Sequence, residues 1–135
     1  MKQHYTLIHQ DKPIYFIDFS NIKTVDEIKS IITQTKDYIH QQPPKSLLVL
    51  VSINMMHIST DIKDLFLEYL DGNRRYINAS AVVGLNSLTQ IVFKSTIRKV
   101  RRDIKSFNDI EQAKNWLVAK MSINEVSSIN QQTLS

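Results

Sequence analysis

The sequence predicts an α/β domain with the element order ββαβαβαβα, built on a mostly parallel sheet with an antiparallel edge strand. Short β-branched and aromatic runs alternate with segments whose apolar residues recur at helical spacing. This alternation predicts parallel strands joined by right-handed crossovers. Residues 46–53 are almost continuously apolar, which is typical of a strand covered on both faces. The 135 residues fit one domain with a substantial core, which we assign to residues 1–121.

Two strands open the chain as a hairpin. Residues 5–9 and 14–19 are rich in β-branched and aromatic side chains, and Gln10-Asp11-Lys12 between them is a turn signal. The first strand is therefore expected to be the antiparallel edge partner of the second.

The first helix begins at Thr24, which forms a capping box with Glu27. It ends before Pro43-Pro44, because proline cannot donate to the helical hydrogen-bond ladder. The apolar stripe that we expect to face the sheet consists of Ile28, Ile31, Ile32, Thr35 and Ile39.

The second helix follows the central strand, with Ser59 or Thr60 as its N-cap. We expect this helix to end at Gly72, because glycine adopts the left-handed conformation of a helix C-terminus without strain. The apolar stripe of this helix consists of Ile62, Leu65, Phe66, Tyr69 and Leu70.

The third helix follows a strand at residues 77–83 and is capped by Asn86 or Ser87. Its inward face is predicted to carry Leu88, Ile91, Val92 and Ser95. Residues 104–107 form the last strand, and Asn108 begins a fourth helix whose stripe is Ile110, Ala113, Trp116, Leu117 and Met121. The remaining polar residues, 122–135, are predicted to form a C-terminal tail.

The composition excludes several kinds of site. With 2 glycines and no cysteine, the chain lacks a dinucleotide fingerprint, a P-loop, a serine-hydrolase elbow and a thiol nucleophile. The 4 histidines show no metal-binding spacing, so we expect no metal site. We expect no cofactor either. A phosphate-receiver domain is excluded as well, because Asp18 stands without an acidic neighbour and no acceptor aspartate follows the central strand.

The charge and hydropathy patterns bear on partners and location. A net charge of +4 permits an anionic partner without requiring one. The chain has no apolar run long enough to span a bilayer and no apolar stretch of the signal-peptide type at Met1. We therefore expect a cytoplasmic protein with no transmembrane segment.

Four stretches together carry a resemblance to a known family. They are Tyr15–Ser20, Lys45–Leu50, Ala79–Gly84, and Ile104–Phe107 followed by Glu111–Leu117. In this order and spacing the chain resembles, over residues 5–121, the SpoIIAA-like family, whose fold is that of STAS and SEC14-type domains.

The resemblance implies one candidate regulatory position. In the anti-sigma-factor antagonists that typify STAS domains, a kinase phosphorylates a serine at the start of the helix after the central strand, and this switches partner binding. Ser59, and more loosely Thr60, match that position and are candidate phosphoacceptor or partner-binding residues. The aspartate before and the glycine after the family's serine are absent here. The alternative interpretation of both residues is a plain helix cap.

A second candidate site is the carboxyl edge of the sheet, where open α/β folds bind ligands. The polar residues expected at this edge are Asp18, Ser20, Asn21, Asn54, Gly84, Asn86, Ser87 and Asn108. The alternative is that they are turn and cap residues, which every such fold needs at this edge.

A third candidate is a basic patch for an acidic partner, formed by Lys94, Arg98, Lys99, Arg101, Arg102 and Lys105. Most of these positions share one face if the third helix continues. No aromatic residues alternate with the cations, which argues against single-stranded nucleic acid. The alternative is a solvated helix end, where cations are favoured anyway.

Taken together, these observations predict a non-enzymatic STAS-like regulatory or protein-interaction module. We expect a protein partner. One such partner is a second copy of the chain, which would form a homodimer through the tail or an exposed helix. The alternative function is a small-molecule or lipid-binding domain that uses the carboxyl edge of the sheet or an apolar cleft, as SEC14-type domains do, and it predicts a closed apolar pocket of several hundred cubic ångströms. No catalytic residues are assigned, because the sequence offers neither an acid–base pair nor a nucleophile with its base.

Overall fold

The structure, a computed structural model, describes residues 3–100 and 103–121. Its strands are β1 His4–His9, β2 Lys12–Asp18, β3 Leu47–Ser52, β4 Ile77–Val83 and β5 Ile104–Phe107. Its helices are α1 Val25–Ile39, α2 Thr60–Asn73, α3 Ser87–Val100 and, at residues 110–121, α4. The predicted tail at 122–135 lies outside the described residues.

The five strands form one sheet in the order β1-β2-β3-β4-β5. β1 pairs antiparallel with β2, and all other neighbours are parallel. The predicted element order and the antiparallel edge strand are therefore confirmed.

A two-residue turn sets the register of the opening hairpin. His9 pairs with Lys12, which leaves Gln10 and Asp11 as the turn, and their φ angles are 50° and 64°. Two successive positive φ angles are what a type I′ turn requires, and its twist matches that of the strands. β2 therefore begins at Lys12, two residues earlier than predicted.

The sheet has a separate hydrophobic layer on each face, because successive side chains of a strand point to opposite sides. On one face Ile17, Val49 and Val51 pack with α1, α2 and α3. On the other face Phe16 and Leu50 pack with α4, whose buried residues are Ala113, Leu117 and Val118. Three helices therefore cover one face and a single described helix covers the other.

The predicted start and inward face of α1 are confirmed. Thr24 accepts a hydrogen bond from the Glu27 N–H at 3.3 Å, and its own hydroxyl donates to the Glu27 carboxylate at 2.9 Å. The buried residues of α1 are Ile28, Ile31, Thr35 and Ile39.

The end of α2 differs from the prediction. The helix runs through Gly72, which is helical and has no positive φ, and ends one residue later at Asn73. Asn73 is buried and its Oδ1 lies 3.0 Å from His40 Nε2, so tertiary packing extends the helix past the glycine.

The predicted inward face of α3 is wrong in part. Leu88 and Ile91 are 66% and 69% exposed, and the helix instead buries Thr89 and Thr96. Burial of these threonines is inexpensive because their hydroxyls bond within the helix and its cap; Thr96 Oγ1, for example, donates to the Val92 carbonyl at 2.9 Å.

Candidate functional site

Ser59 and Thr60 lie at the start of α2, as predicted. Ser59 is the N-cap, and its Oγ accepts a hydrogen bond from the Ile62 N–H at 3.3 Å. Thr60 is the first helical residue and is exposed. The Ser59 hydroxyl therefore has a structural role, while Thr60 is exposed to solvent. Their use as phosphoacceptors stays a prediction.

The predicted polar residues lie at the carboxyl edge of the sheet, and the side chains of Asp18, Ser20 and Asn86 form hydrogen bonds within the protein there. Asp18 ends β2, and its Oδ1 accepts from the Ser20 N–H at 2.9 Å. The Ser20 and Ser52 hydroxyls lie 2.7 Å apart and join the ends of β2 and β3. A ligand at this edge would have to compete with these bonds, so the arrangement indicates turn stabilisation.

Gly84 and Asn54 bring the next two loops of this edge together. Gly84 has a φ of +91°, and a Cβ atom placed on it would lie 2.6 Å from the Asn54 backbone nitrogen. The space beside Gly84 is therefore filled by the Asn54 backbone, and the glycine is required for this close approach.

Asn86 lies directly before α3 and forms hydrogen bonds with the first turn of that helix. Its Oδ1 accepts from the Thr89 N–H at 2.9 Å, and the Thr89 hydroxyl accepts from the Asn86 N–H at 2.7 Å. This reciprocal pair is a capping box with threonine in place of glutamate. Ser87 is the first residue of α3 and is exposed.

The predicted basic patch does not form a single helical face. Lys94 and Arg98 are exposed on α3, which ends at Val100. Lys105 lies on β5, with its Nζ 5.4 Å from the centre of the Phe107 ring, on the side of the sheet that α4 covers. Arg101 and Arg102 lie outside the described residues. Lys105 is therefore separated from the two cations of α3 by the sheet.

An apolar cleft between α2, α3 and the sheet was not located by the sequence analysis. Its floor is formed by Val51 and Val82 and its walls by side chains such as Phe66, Val92 and Phe93. The cavity volume is about 80 Å³, and about 600 Å³ when the space at the open mouth is included. The volume of about 80 Å³ is the one to compare with a single water molecule, which needs roughly 10–15 Å³. The cleft therefore has room for a segment of hydrocarbon. The cleft is apolar, as the alternative function predicts. It is open to solvent, however, whereas that function predicts a closed pocket.

One cation lies in the wall of this cleft. Lys63 of α2 is half-buried and lines the cleft together with its helical neighbours Phe66 and Leu70. The sequence does contain a signal for it, because a lysine directly after Ile62 and three residues before Phe66 falls within the apolar arc of the helix.

Three large apolar side chains are exposed beside the carboxyl edge. Met55 follows β3 and is 61% exposed, and Leu88 and Ile91 lie on the outward face of α3. Exposed apolar side chains in one region are a feature of interaction surfaces. Lys94 and Arg98 continue the outward face of α3 beyond them.

The titratable groups of the described residues show no assembled metal site. Among them, no group of three or more His, Cys, Asp or Glu side chains is placed to hold a metal ion. Burial raises the pKa of the Tyr15 phenol, and the phenols of Tyr69 and Tyr38 add to the rise. Tyr15 therefore stays protonated, and its hydroxyl pairs with His4 Nδ1 at 2.9 Å.

Comparison with known proteins supports the fold. The chain matches no protein-family model and no curated protein sequence. It is similar to the crystal structure of an uncharacterised protein of the DUF3478 family with a SpoIIAA-like fold, from Shewanella loihica. The TM-score is 0.67 at 13% identity, over 84% of this chain and 91% of that chain. The fold is SpoIIAA-like. No helix among the described residues is both long enough and apolar enough to cross a membrane.

Proposed function

We propose that this SpoIIAA-like domain is a non-enzymatic binding module that holds an apolar small molecule in the cleft between α2 and α3. The observation that carries the proposal is the lining of the cleft, which is apolar apart from Lys63, Thr89 and Thr96. Ligand sites in proteins are typically concave and mostly apolar, with a few polar groups that fix orientation.

The expected affinity is modest. Burial of roughly 200 Å² of hydrocarbon stabilises a complex by about 5 kcal/mol at about 25 cal/mol per Å². Such a free energy corresponds to a dissociation constant in the submillimolar range, before the cost of ordering the ligand. The open mouth of the cleft fits this range, because part of a bound chain would stay in contact with water.

Calorimetric titration with decanol, a neutral aliphatic probe, tests the proposal. Val92→Phe places a larger ring in the wall of the cleft and is expected to weaken decanol binding at least tenfold. Leu88→Phe adds a ring to the outward face of the same helix and should leave binding unchanged. Failure of the wild-type chain to bind decanol, or equal binding by all three proteins, would contradict the proposal.

A second candidate function is the protein-interaction module that the sequence predicts. The observation that favours it is the exposure of Leu88, Ile91 and Met55 at one edge of the domain. We propose that this surface contacts a protein partner, a second copy of the chain being one form of it. Thr60, exposed at the start of α2, is the better placed of the two candidate phosphoacceptors.

Sedimentation equilibrium over a range of concentrations tests the homodimer form of this candidate. Replacement of Leu88 and Ile91 by glutamate should abolish self-association, because it places carboxylates where apolar contacts would form. Two results together would count against an interface at α3. The wild-type chain would stay monomeric, and the double variant would recover the same proteins from a native lysate as the wild type.

A further inference from the structure

Lys63 has no partner among the described residues. None of the hydrogen bonds and ion pairs formed within residues 3–100 and 103–121 involves its ammonium group. The side chain nevertheless lies in the wall of an apolar cleft and is half-buried. Among the described residues no carboxylate pairs with this ammonium group, so an anionic ligand in the cleft would supply it with a counter-charge.

The acidic residues of α2 lie on a different face of the helix. Asp61, Asp64 and Glu68 line a separate groove toward α1, which they share with Lys29. Side chains on a helix meet when they are three or four residues apart, and Lys63 is at neither spacing from any of these acidic residues. The acidic residues of α2 therefore do not pair with Lys63, whose side chain lines the cleft instead.

The other polar groups of the cleft already use their hydrogens. Thr89 Oγ1 donates to the Asn86 carbonyl at 3.2 Å and accepts from the Asn86 N–H. Thr96 Oγ1 donates to the Val92 carbonyl at 2.9 Å. Within the lining described for this cleft, Lys63 is therefore the one group with donors to offer to a ligand.

We propose that the ligand is an amphiphile with a single carboxylate and a hydrocarbon chain, such as a fatty acid, and that its carboxylate pairs with Lys63. This inference rests on the proposed function of the cleft and adds the class of ligand. A lysine whose side chain lines an apolar cleft complements a ligand with one small anionic head and an apolar body. A phosphate head is a poorer match, because phosphate sites usually combine several cationic or backbone donors.

Chain length gives a first expectation. Each methylene group that enters the cleft should tighten binding about fourfold, until the cleft is filled. Octanoate, decanoate and dodecanoate, titrated below the concentrations at which they form micelles, measure this dependence. Affinity should rise along the series and level off, since the cavity is small and its mouth is open.

The head group is tested with decanoate against decanol, which share one chain length. The wild type should bind decanoate about tenfold more tightly than decanol. Lys63→Met keeps an unbranched apolar side chain and should remove this preference while decanol still binds. Lys63→Arg should retain the preference, because it keeps the positive charge. Lys29→Met removes a cation from the groove on the other side of α2 and is the matched control, with no change expected.

The outcomes separate this inference from the function on which it rests. If decanol does not bind the wild type, the proposed function itself fails. If decanol and decanoate bind the wild type equally, or if Lys63→Met weakens both to the same extent, the cleft binds apolar ligands but the carboxylate assignment is overturned. Decyl phosphate binding more tightly than decanoate would likewise overturn the choice of head group. Thermal unfolding of each variant shows whether it keeps the wild-type fold.

Discussion

Replacement of Gly84 by alanine tests the geometry of the carboxyl edge. The added methyl group would lie 2.6 Å from the nitrogen and 2.8 Å from the Cα of Asn54, and backbone atoms cannot rotate away as a flexible side chain can. The φ of +91° adds conformational strain for any residue with a Cβ. Strain of this kind costs about 1–3 kcal/mol, and displacement of a packed neighbour costs a similar amount. We expect Gly84→Ala to lower the free energy of unfolding by about 3–4 kcal/mol.

The second glycine provides the matched control. Gly72 is helical, and no atom lies within 4 Å of the position that an added methyl group would take. Gly72→Ala should therefore stabilise the domain by about 0.5–1 kcal/mol. Urea unfolding followed by far-UV circular dichroism measures both changes. A loss below about 1 kcal/mol for Gly84→Ala, or a comparable loss for Gly72→Ala, would refute the reasoning.

Two further predictions concern caps and pH. Ser59→Ala and Asn86→Ala should each cost about 1 kcal/mol in urea unfolding, because each removes a side chain that bonds the first turn of a helix; a loss for only one of them would show that the other cap is not formed. The raised pKa of Tyr15 predicts a fold that weakens in alkali. Its stability contribution is fully present below the unfolded pKa of about 10 and is lost as pH rises above it, because only the unfolded state then releases the proton. Thermal melts against pH should show this loss, and Tyr15→Phe should reduce it.

The order of elements could be predicted from the sequence because each carries a local signal. The unbroken apolar run of Leu47–Val51 reflects burial on both faces of a central strand, and the structure buries five of the six residues of β3. The spacing of Ile28, Ile31 and Ile39 likewise matches the buried face of α1. The position of the polar edge follows from strand direction alone, since parallel strands end at the same side.

The rotation of α3 and the cleft beside it could not be predicted in the same way. Leu88 and Ile91 have the spacing of an inward stripe, so counting apolar residues selects them. The structure instead buries Thr89 and Thr96, whose hydroxyls are satisfied locally and which therefore pack as small apolar groups. The width of the cleft depends on how far α2 and α3 lie apart, and no local pattern encodes that separation.

The two proposed roles of α3 place a ligand and a partner on opposite sides of one helix. Val92 and Phe93 face the cleft, while Leu88 and Ile91 face solvent, so α3 is apolar on both sides, unlike an ordinary surface helix. If a ligand in the cleft changes the position of α3, it also changes the free energy with which the outward face of α3 binds a partner. By linkage, the partner alters ligand affinity by the same factor. If self-association occurs through Leu88 and Ile91, its constant should therefore change when decanoate is added to the wild type, and this change should disappear in Val92→Phe.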